Sequence, residues 1–238
     1  MQSKELNIGF IGSPSYRTYF YLKTIKNAGF TLKKTLIYNS KKTFSITNKF
    51  PKIHNLDDTE IILNEDYYQL IESFNADKTD KTSFNELAEE VSSFPTDLII
   101  FSGKGGDILK DEILSLGKKF IHVHPGKLPQ YKGSTTFYYS ILNENSCTAT
   151  AFFMNRDIDD GEIIQSKTYS PPSKNIECVD SLYDPLIRSD LLLNVLHSYS
   201  SKGILDSNKQ VQESPQTYYV IHPVLKNIAL KQTGHAPF

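Results

Sequence analysis

Residues 6–12 (Leu-Asn-Ile-Gly-Phe-Ile-Gly) form an apolar run closed by glycine, the pattern of a buried strand. Ser13-Pro14-Ser15 interrupts it. Tyr19, Leu22, Ile25 and Ala28 then recur at helical spacing, and Gly29 fits the position just past a helix end. Residues 32–38 suit a second strand, so the chain opens as strand, loop, helix, strand, the signature of an open parallel sheet. Residues 39–82 are polar, with a helix predicted over Asp66–Phe74. Ser83 and Glu86 make a capping box for a helix through Val91. After Pro95, Asp97–Phe101 is a short continuous apolar run, as in a strand covered on both faces. Ser102-Gly-Lys-Gly-Gly106 reads as a flexible loop, residues 107–116 as a helix, and Lys119–Val123 as a strand that ends at two histidines, His122 and His124.

Residues 135–144 suit a helix. Thr148–Met154 and Ile163–Tyr169 read as strands flanking the acidic turn Asn155–Gly161. Leu186–Ser201 is a strong helix, with Leu192, Val195, Leu196 and Tyr199 on one face and Gly203 as its stop. The tail is polar from Asn208, then aromatic (Tyr218-Tyr219-Val-Ile-His222-Pro223). No repeat or low-complexity linker divides the chain. The expected fold is α/β: an open, mostly parallel twisted sheet with helices on both faces. The expected organisation is one domain over 1–203 and a C-terminal extension over 204–238, packed on or near the active site.

The length, 238 residues, is enough for one sizeable core. Lys plus Arg total 26 against 27 Asp plus Glu, so no global field draws in nucleic acid or an anionic membrane. The two cysteines, Cys147 and Cys178, stand in no CxxC spacing and read as free thiols of a reducing compartment. The N-terminal residues lack an apolar signal core, and the apolar runs fall short of a membrane span. A cytoplasmic protein is the expectation.

In an open α/β sheet ligands sit beyond the carboxyl ends of the strands, where Gly12, the 102–106 loop and the two histidines fall. Residues i and i+2 of a strand face the same side, so His122 and His124 can reach one small volume. A carboxylate from the acidic turn beside an imidazole would tune its protonation for acid–base work or oxyanion stabilisation. No Gly-x-Ser-x-Gly elbow supplies a nucleophile. The same His-x-His with a distant Asp also fits a metal site, and hence a metal-dependent hydrolase built on His122, His124 and Asp159. A non-catalytic binding protein that keeps the fold is a third reading. His54, His197 and His235 read as surface residues, and His222 has no assigned role.

The stretch His124-Pro-Gly-Lys-Leu-Pro-Gln-Tyr-Lys-Gly-Ser134, followed by Met154-Asn-Arg-Asp-Ile-Asp-Asp-Gly-Glu-Ile-Ile164, resembles the 10-formyltetrahydrofolate-dependent formyltransferases. These act on glycinamide ribonucleotide, methionyl-tRNA or amino sugars. Their motif is Asn-x-His-Pro-(Ser/Gly)-x-Leu-Pro-x-(Tyr/Phe)-(Arg/Lys)-Gly, with Asp-x-Gly some way on. The resemblance covers residues 97–165 well and the first strand–helix–strand unit loosely. It implies a Rossmann-like variant of the α/β fold and 10-formyltetrahydrofolate as formyl donor, with no metal. It puts the catalytic His on His124 and the catalytic Asp on Asp159. The donor's pterin would lie against backbone of Gly106, Asp107, Ile108 and Leu109, and of Asn155, Arg156, Asp157 and Ile158. The family's Asn falls on His122, which would have to replace an amide donor to the formyl oxygen; losing such a donor costs roughly 2.7–4 kcal/mol of barrier.

The resemblance also narrows the acceptor. Methionyl-tRNA enzymes carry a further C-terminal barrel, for which the residues after Gly203 leave no room, and the balanced charge argues against tRNA. The purine enzyme's phosphate-cradling glycine loop is replaced by Ser13-Pro14-Ser15, and Pro14 has no donor N–H. The Tyr-rich tail resembles those of the sugar-modifying members. The expectation is formyl transfer to a small amine, most simply a nucleotide-linked amino sugar, with no nucleic-acid or membrane partner; a homodimer is compatible with this reading.

Overall fold

The structure is a computed structural model that describes residues 3–44, 53–54, 60–61, 66–172, 179–211 and 216–234. The chain forms two compact units, residues 1–118 and 119–238.

In the first unit, strand β1 (Lys4–Gly12) runs into helix α1 (Tyr16–Asn27) and strand β2 (Phe30–Ile37). Ser15 caps α1 by accepting the Thr18 N–H, and Gly29, at φ +74°, turns the chain back into β2. A short antiparallel pair follows, β3 (Ile53–His54) with β4 (Glu60–Ile61), then helix α2 (Tyr67–Glu72) capped by Asp66, and strand β5 (Asp77–Lys78). Helices α3 (Ala88–Ser92) and α4 (Asp111–Leu114) flank strand β6 (Leu98–Ser102). Strands β6, β1, β2 and β5 lie side by side in that order, all parallel, as the opening pattern predicts. Ile8, Phe10, Ile11, Leu36, Ile37, Ile99 and Ile100 are buried in this sheet.

Two helix expectations here are corrected. The Ser83/Glu86 capping box exists, but it opens a single 3-10 turn, Phe84–Glu86, and the helix that carries the chain through Val91, α3, starts only at Ala88. Phe84 in that turn and Leu87 just past it are both fully buried. The helix expected over 107–116 shrinks to α4. Its upstream polar groups bond elsewhere: Asn85 donates to the Ile108 carbonyl and accepts the Lys110 N–H, while Asp107 accepts from Tyr38 and from the Lys104 N–H.

The second unit contains strand β7 (Lys119–His124), strand β8 (Lys132–Gly133), helix α5 (Thr136–Glu144), and strands β9 (Cys147–Phe153) and β10 (Ile163–Tyr169). A single π-helical turn, Val179–Tyr183, leads into helix α6 (Asp184–Lys202), which stops at Gly203 with φ +75°. Strand β11 (Thr217–Tyr218) and helix α7 (Pro223–Gln232) complete it. Strands β7, β9 and β10 pair antiparallel, and α6 packs on all three through Leu192, Val195 and Leu196 among others. β11 pairs with β8 in parallel.

The tail is therefore more structured than its polar-then-aromatic composition suggested. His222, unassigned from sequence, caps α7 by accepting the Val224 N–H, and Pro223 takes the first helical position, where no N–H is needed. His197 is exposed, as expected. His235, Cys178 and the side chain of His54 lie outside the described residues. Among the described residues no helix is long and apolar enough to cross a membrane.

Candidate active site

The site grows from the end of β7. Its last residue, His124, is 2% exposed. The loop that follows brings the Tyr131 carbonyl oxygen to 2.7 Å from His124 Nε2. Thr136 Oγ1 lies 3.1 Å from the same nitrogen and donates to the Pro125 carbonyl at 2.9 Å. A carbonyl oxygen only accepts, so Nε2 carries a proton. The other nitrogen, Nδ1, faces Asp159 Oδ2 at 3.3 Å.

Asp159 is fixed with equal care. It ends the turn between β9 and β10 in the left-handed region, φ +51°, a costly conformation for a residue with a side chain. The Gly133 N–H donates to Asp159 Oδ2 at 2.8 Å. The Gln210 side-chain amide donates to the Asp159 carbonyl at 2.9 Å and to the Gly161 carbonyl at 2.8 Å. Gly161 is obligatory: a Cβ there would sit 1.6 Å from the Phe153 carbonyl oxygen. Lys132, buried, forms an ion pair with Asp160. Asp159 Oδ1 makes no hydrogen bond among the described residues, and its side chain is 13% exposed. It is the open atom of the pair.

Burial pushes the His124 imidazole below its usual pKa; the Asp159 carboxylate, the Tyr131 carbonyl and Asp184 oppose that shift, and Arg188 adds to it. With Nε2–H already committed, a neutral ring would present its Nδ1 lone pair to Asp159 Oδ2. The contact becomes attractive once Nδ1 is protonated.

His122, half-buried on β7, packs its ring edge-on against Phe152, with centroids 5.8 Å apart. Of the residues implied as donor-binding, Arg156, Asp157 and Ile158 are exposed and Asn155 is half-buried, its Oδ1 accepting the Asp157 N–H. In the first unit Gly106 takes φ +88°, Asp107 is held by Tyr38, Ile108 is exposed with its carbonyl bonded to Asn85, and Leu109 is buried. The structure thus unites His124 with Asp159, as expected. It adds four residues: Tyr131 and Gly133, which lay inside the recognised motif without an assigned role, Thr136 just beyond it, and Gln210, which had no sequence signal.

Among the described residues no group of three or more His, Cys, Asp or Glu side chains is arranged to hold a metal ion. Both nitrogens of His124 already face protein atoms, so the hydrolase alternative lacks its central ligand. Cys147 is fully buried, and burial pushes its thiol pKa up, away from the nucleophilic thiolate.

A buried imidazole–carboxylate pair with one free carboxylate oxygen suits group transfer by proton movement rather than by a covalent enzyme intermediate. The comparisons with known proteins give the class its family. The formyl transferase family model matches residues 46–178, more than half of the chain, and the chain belongs to that family. A methionyl-tRNA formyltransferase of Desulforamulus reducens is 31% identical over 118 residues, covering 48% of this chain and 36% of that protein. The chain spans about half or less of the length of the curated relatives it matches. A sugar N-formyltransferase from Shewanella sp. FDAARGOS_354 shares the fold, with TM-score 0.58 and 16% identity, over 97% of this chain and 89% of that one. So does WlaRD, a sugar 3N-formyl transferase whose structure was determined in the presence of dTDP and 5-N-formyl-THF, with TM-score 0.56 and 17% identity, over 94% of this chain and 73% of that one.

Proposed function

We propose that the protein transfers a formyl group from 10-formyltetrahydrofolate to the amine of a small acceptor, a nucleotide-linked amino sugar. The observation that carries this reading is the buried His124–Asp159 pair with Asp159 Oδ1 left open. The acceptor nitrogen attacks the formyl carbon, forming the new C–N bond and pushing the carbonyl electrons onto oxygen. Asp159 Oδ1 takes the proton that the nitrogen must lose, directly or through a water, while the Gly133 N–H holds the opposite carboxylate oxygen. Collapse of the oxyanion then breaks the bond to folate N10, which takes up that proton from Asp159 Oδ1, directly or through a water. His124 spends both nitrogens inside the protein, so it acts through Asp159. The donor to the oxyanion is then His122, two residues earlier on the same face of β7, standing where the family carries Asn.

Asn155–Ile158 are proposed to contact the donor through their backbones, a reading that the exposure of Arg156, Asp157 and Ile158 supports. The sugar acceptor rests on the likeness to sugar N-formyltransferases and on the balanced charge, which offers tRNA phosphates no general attraction. The cytoplasm is the proposed compartment. Titration with 5-formyltetrahydrofolate, a stable analogue of the donor, should give saturable binding, and a panel of nucleotide-linked amino sugars should give formamide product. Absence of folate binding would sink the reading. Folate binding without turnover on any amine would favour a non-catalytic binder.

A further inference from the structure

We infer that Gln210 is a positioning residue: its side-chain amide clamps the turn that aims Asp159 at the reacting amine, so the C-terminal segment is a working part of the site. Three observations carry this. First, both amide hydrogens of Gln210 are spent on the turn, one on the Asp159 carbonyl and one on the Gly161 carbonyl, so they pin both ends of the left-handed kink. Second, Gln210 Oε1 is buried and makes no hydrogen bond among the described residues. An unmet buried acceptor is normally selected against; the two carbonyls that face the amide nitrogen hold it this way round. Third, the segment is docked beside the turn: Ile163 and Asn208 exchange backbone hydrogen bonds at 2.8 and 2.9 Å, and Ser207 Oγ donates to Glu162 at 2.6 Å.

The clamp has a counterpart further along the tail. Tyr218 lies over Gly133 in the β8–β11 pair, and its carbonyl accepts the Ser134 N–H at 2.8 Å. The Gly133 N–H is the one that holds Asp159 Oδ2. One stretch of the tail therefore sets the Asp159 backbone and another sets its carboxylate. Gln210 lies outside the stretch that matches the family model, residues 46–178.

The inference rests on the proposed role of Asp159, so its test includes a readout that needs no substrate. Gln210→Met keeps the shape and removes both donors. Freed of the clamp, the turn relaxes from its strained φ and the carboxylate moves off His124. The groups facing His124 are Asp159, the Tyr131 carbonyl, Arg188 and Asp184, and of these Asp159 is the one the substitution displaces. Its attraction raises the His124 pKa, so the His124 midpoint, followed by NMR of histidine-labelled protein with His124→Gln identifying the resonance, should fall by about half a unit or more. Formyl transfer should show kcat reduced about tenfold to a hundredfold at unchanged donor KM. Gln210→Asn, one methylene shorter, should give a smaller shift of the same sign and serves if the Met variant does not fold. Ser207→Ala, which removes the segment's bond to Glu162 but leaves both Gln210 amide bonds to the turn, should shift the midpoint by less than either Gln210 variant. A wild-type midpoint in both Gln210 variants, or an equal shift in Ser207→Ala, would overturn the inference. A wild-type protein without transferase activity whose His124 midpoint still falls in Gln210→Met would instead remove the proposed reaction and keep the clamp.

Discussion

Replacing Asp159 by Asn tests the proton logic of the site directly. Two groups converge on Oδ2: the Gly133 N–H at 2.8 Å and His124 Nδ1 at 3.3 Å. A carboxylate oxygen accepts from both once Nδ1 is protonated. An amide cannot do as well in either orientation. With oxygen at that position, the Gly133 bond survives, but the oxygen meets the Nδ1 lone pair, because the charge that helped protonate the ring is gone. With nitrogen there, the amide donates to Nδ1 but points a hydrogen at the Gly133 N–H, which is left without an acceptor. Either way one buried bond is lost, about 1–3 kcal/mol, and turnover should fall about 10²–10⁴-fold with the loss of the base. The pH dependence follows from the sign of the His124 shift. Burial holds its folded pKa below the ordinary 6.5, so on acidification the unfolded chain takes up the proton first. Stability is then full above about pH 6.5 and is lost as pH falls from there towards the folded value. Removing the Asp159 charge lowers the folded pKa further and extends the loss. Urea midpoints of wild type and Asp159→Asn should therefore fall in parallel below about pH 6.5 and diverge once the pH drops below the wild-type His124 midpoint, as followed by NMR. A gap that stays constant below that midpoint, or a variant within tenfold of wild-type turnover, would refute the argument.

Other outcomes follow from the same neighbourhood. Gly161→Ala places a methyl 1.6 Å from the Phe153 carbonyl and must break the end of β9; urea unfolding should show a loss of about 3 kcal/mol or more, and a near-neutral variant would show that the turn is not where it is described. The Lys132–Asp160 pair should respond asymmetrically. Asp160→Ala strands an ammonium whose side chain is 6% exposed and should cost about 3–5 kcal/mol, whereas Lys132→Met leaves a carboxylate that is 32% exposed and can rehydrate, and should cost clearly less. Equal costs in urea unfolding would contradict the burial argument. Cys147, fully buried with its pKa raised, should resist iodoacetamide at pH 8 in the native protein and react in urea, as read by mass spectrometry of its peptide; rapid native labelling would contradict its placement.

What the sequence disclosed and what it hid divide along a physical line. Period and punctuation located most elements. Tyr19, Leu22 and Ile25 with Gly29 marked α1, and Leu192, Val195 and Leu196 with Gly203 marked α6, because burial of an apolar stripe and a left-handed stop are local properties of sequence. The misjudged elements were those whose polar groups bond to distant partners. Ile108 and Lys110 are tied by Asn85, and Asp107 by Tyr38, so residues 107–110 never joined the helix that their composition favoured. The α7 helix was overlooked because its cap is a histidine and much of its apolar surface, Val224, Leu225 and Ile228, is exposed, which blurs the periodic signal. The site divides in the same way. His124 and Asp159 were legible because their motif is contiguous on each side of the pair. The groups that settle their protonation were not: a backbone carbonyl at Tyr131, a backbone N–H at Gly133 and an amide at Gln210. Every residue has a carbonyl, nearly every residue has an N–H, and a lone Gln in a polar tail carries no pattern. Residue identity therefore names the paired groups, while their tautomer and aim depend on main-chain atoms that only the fold brings into place.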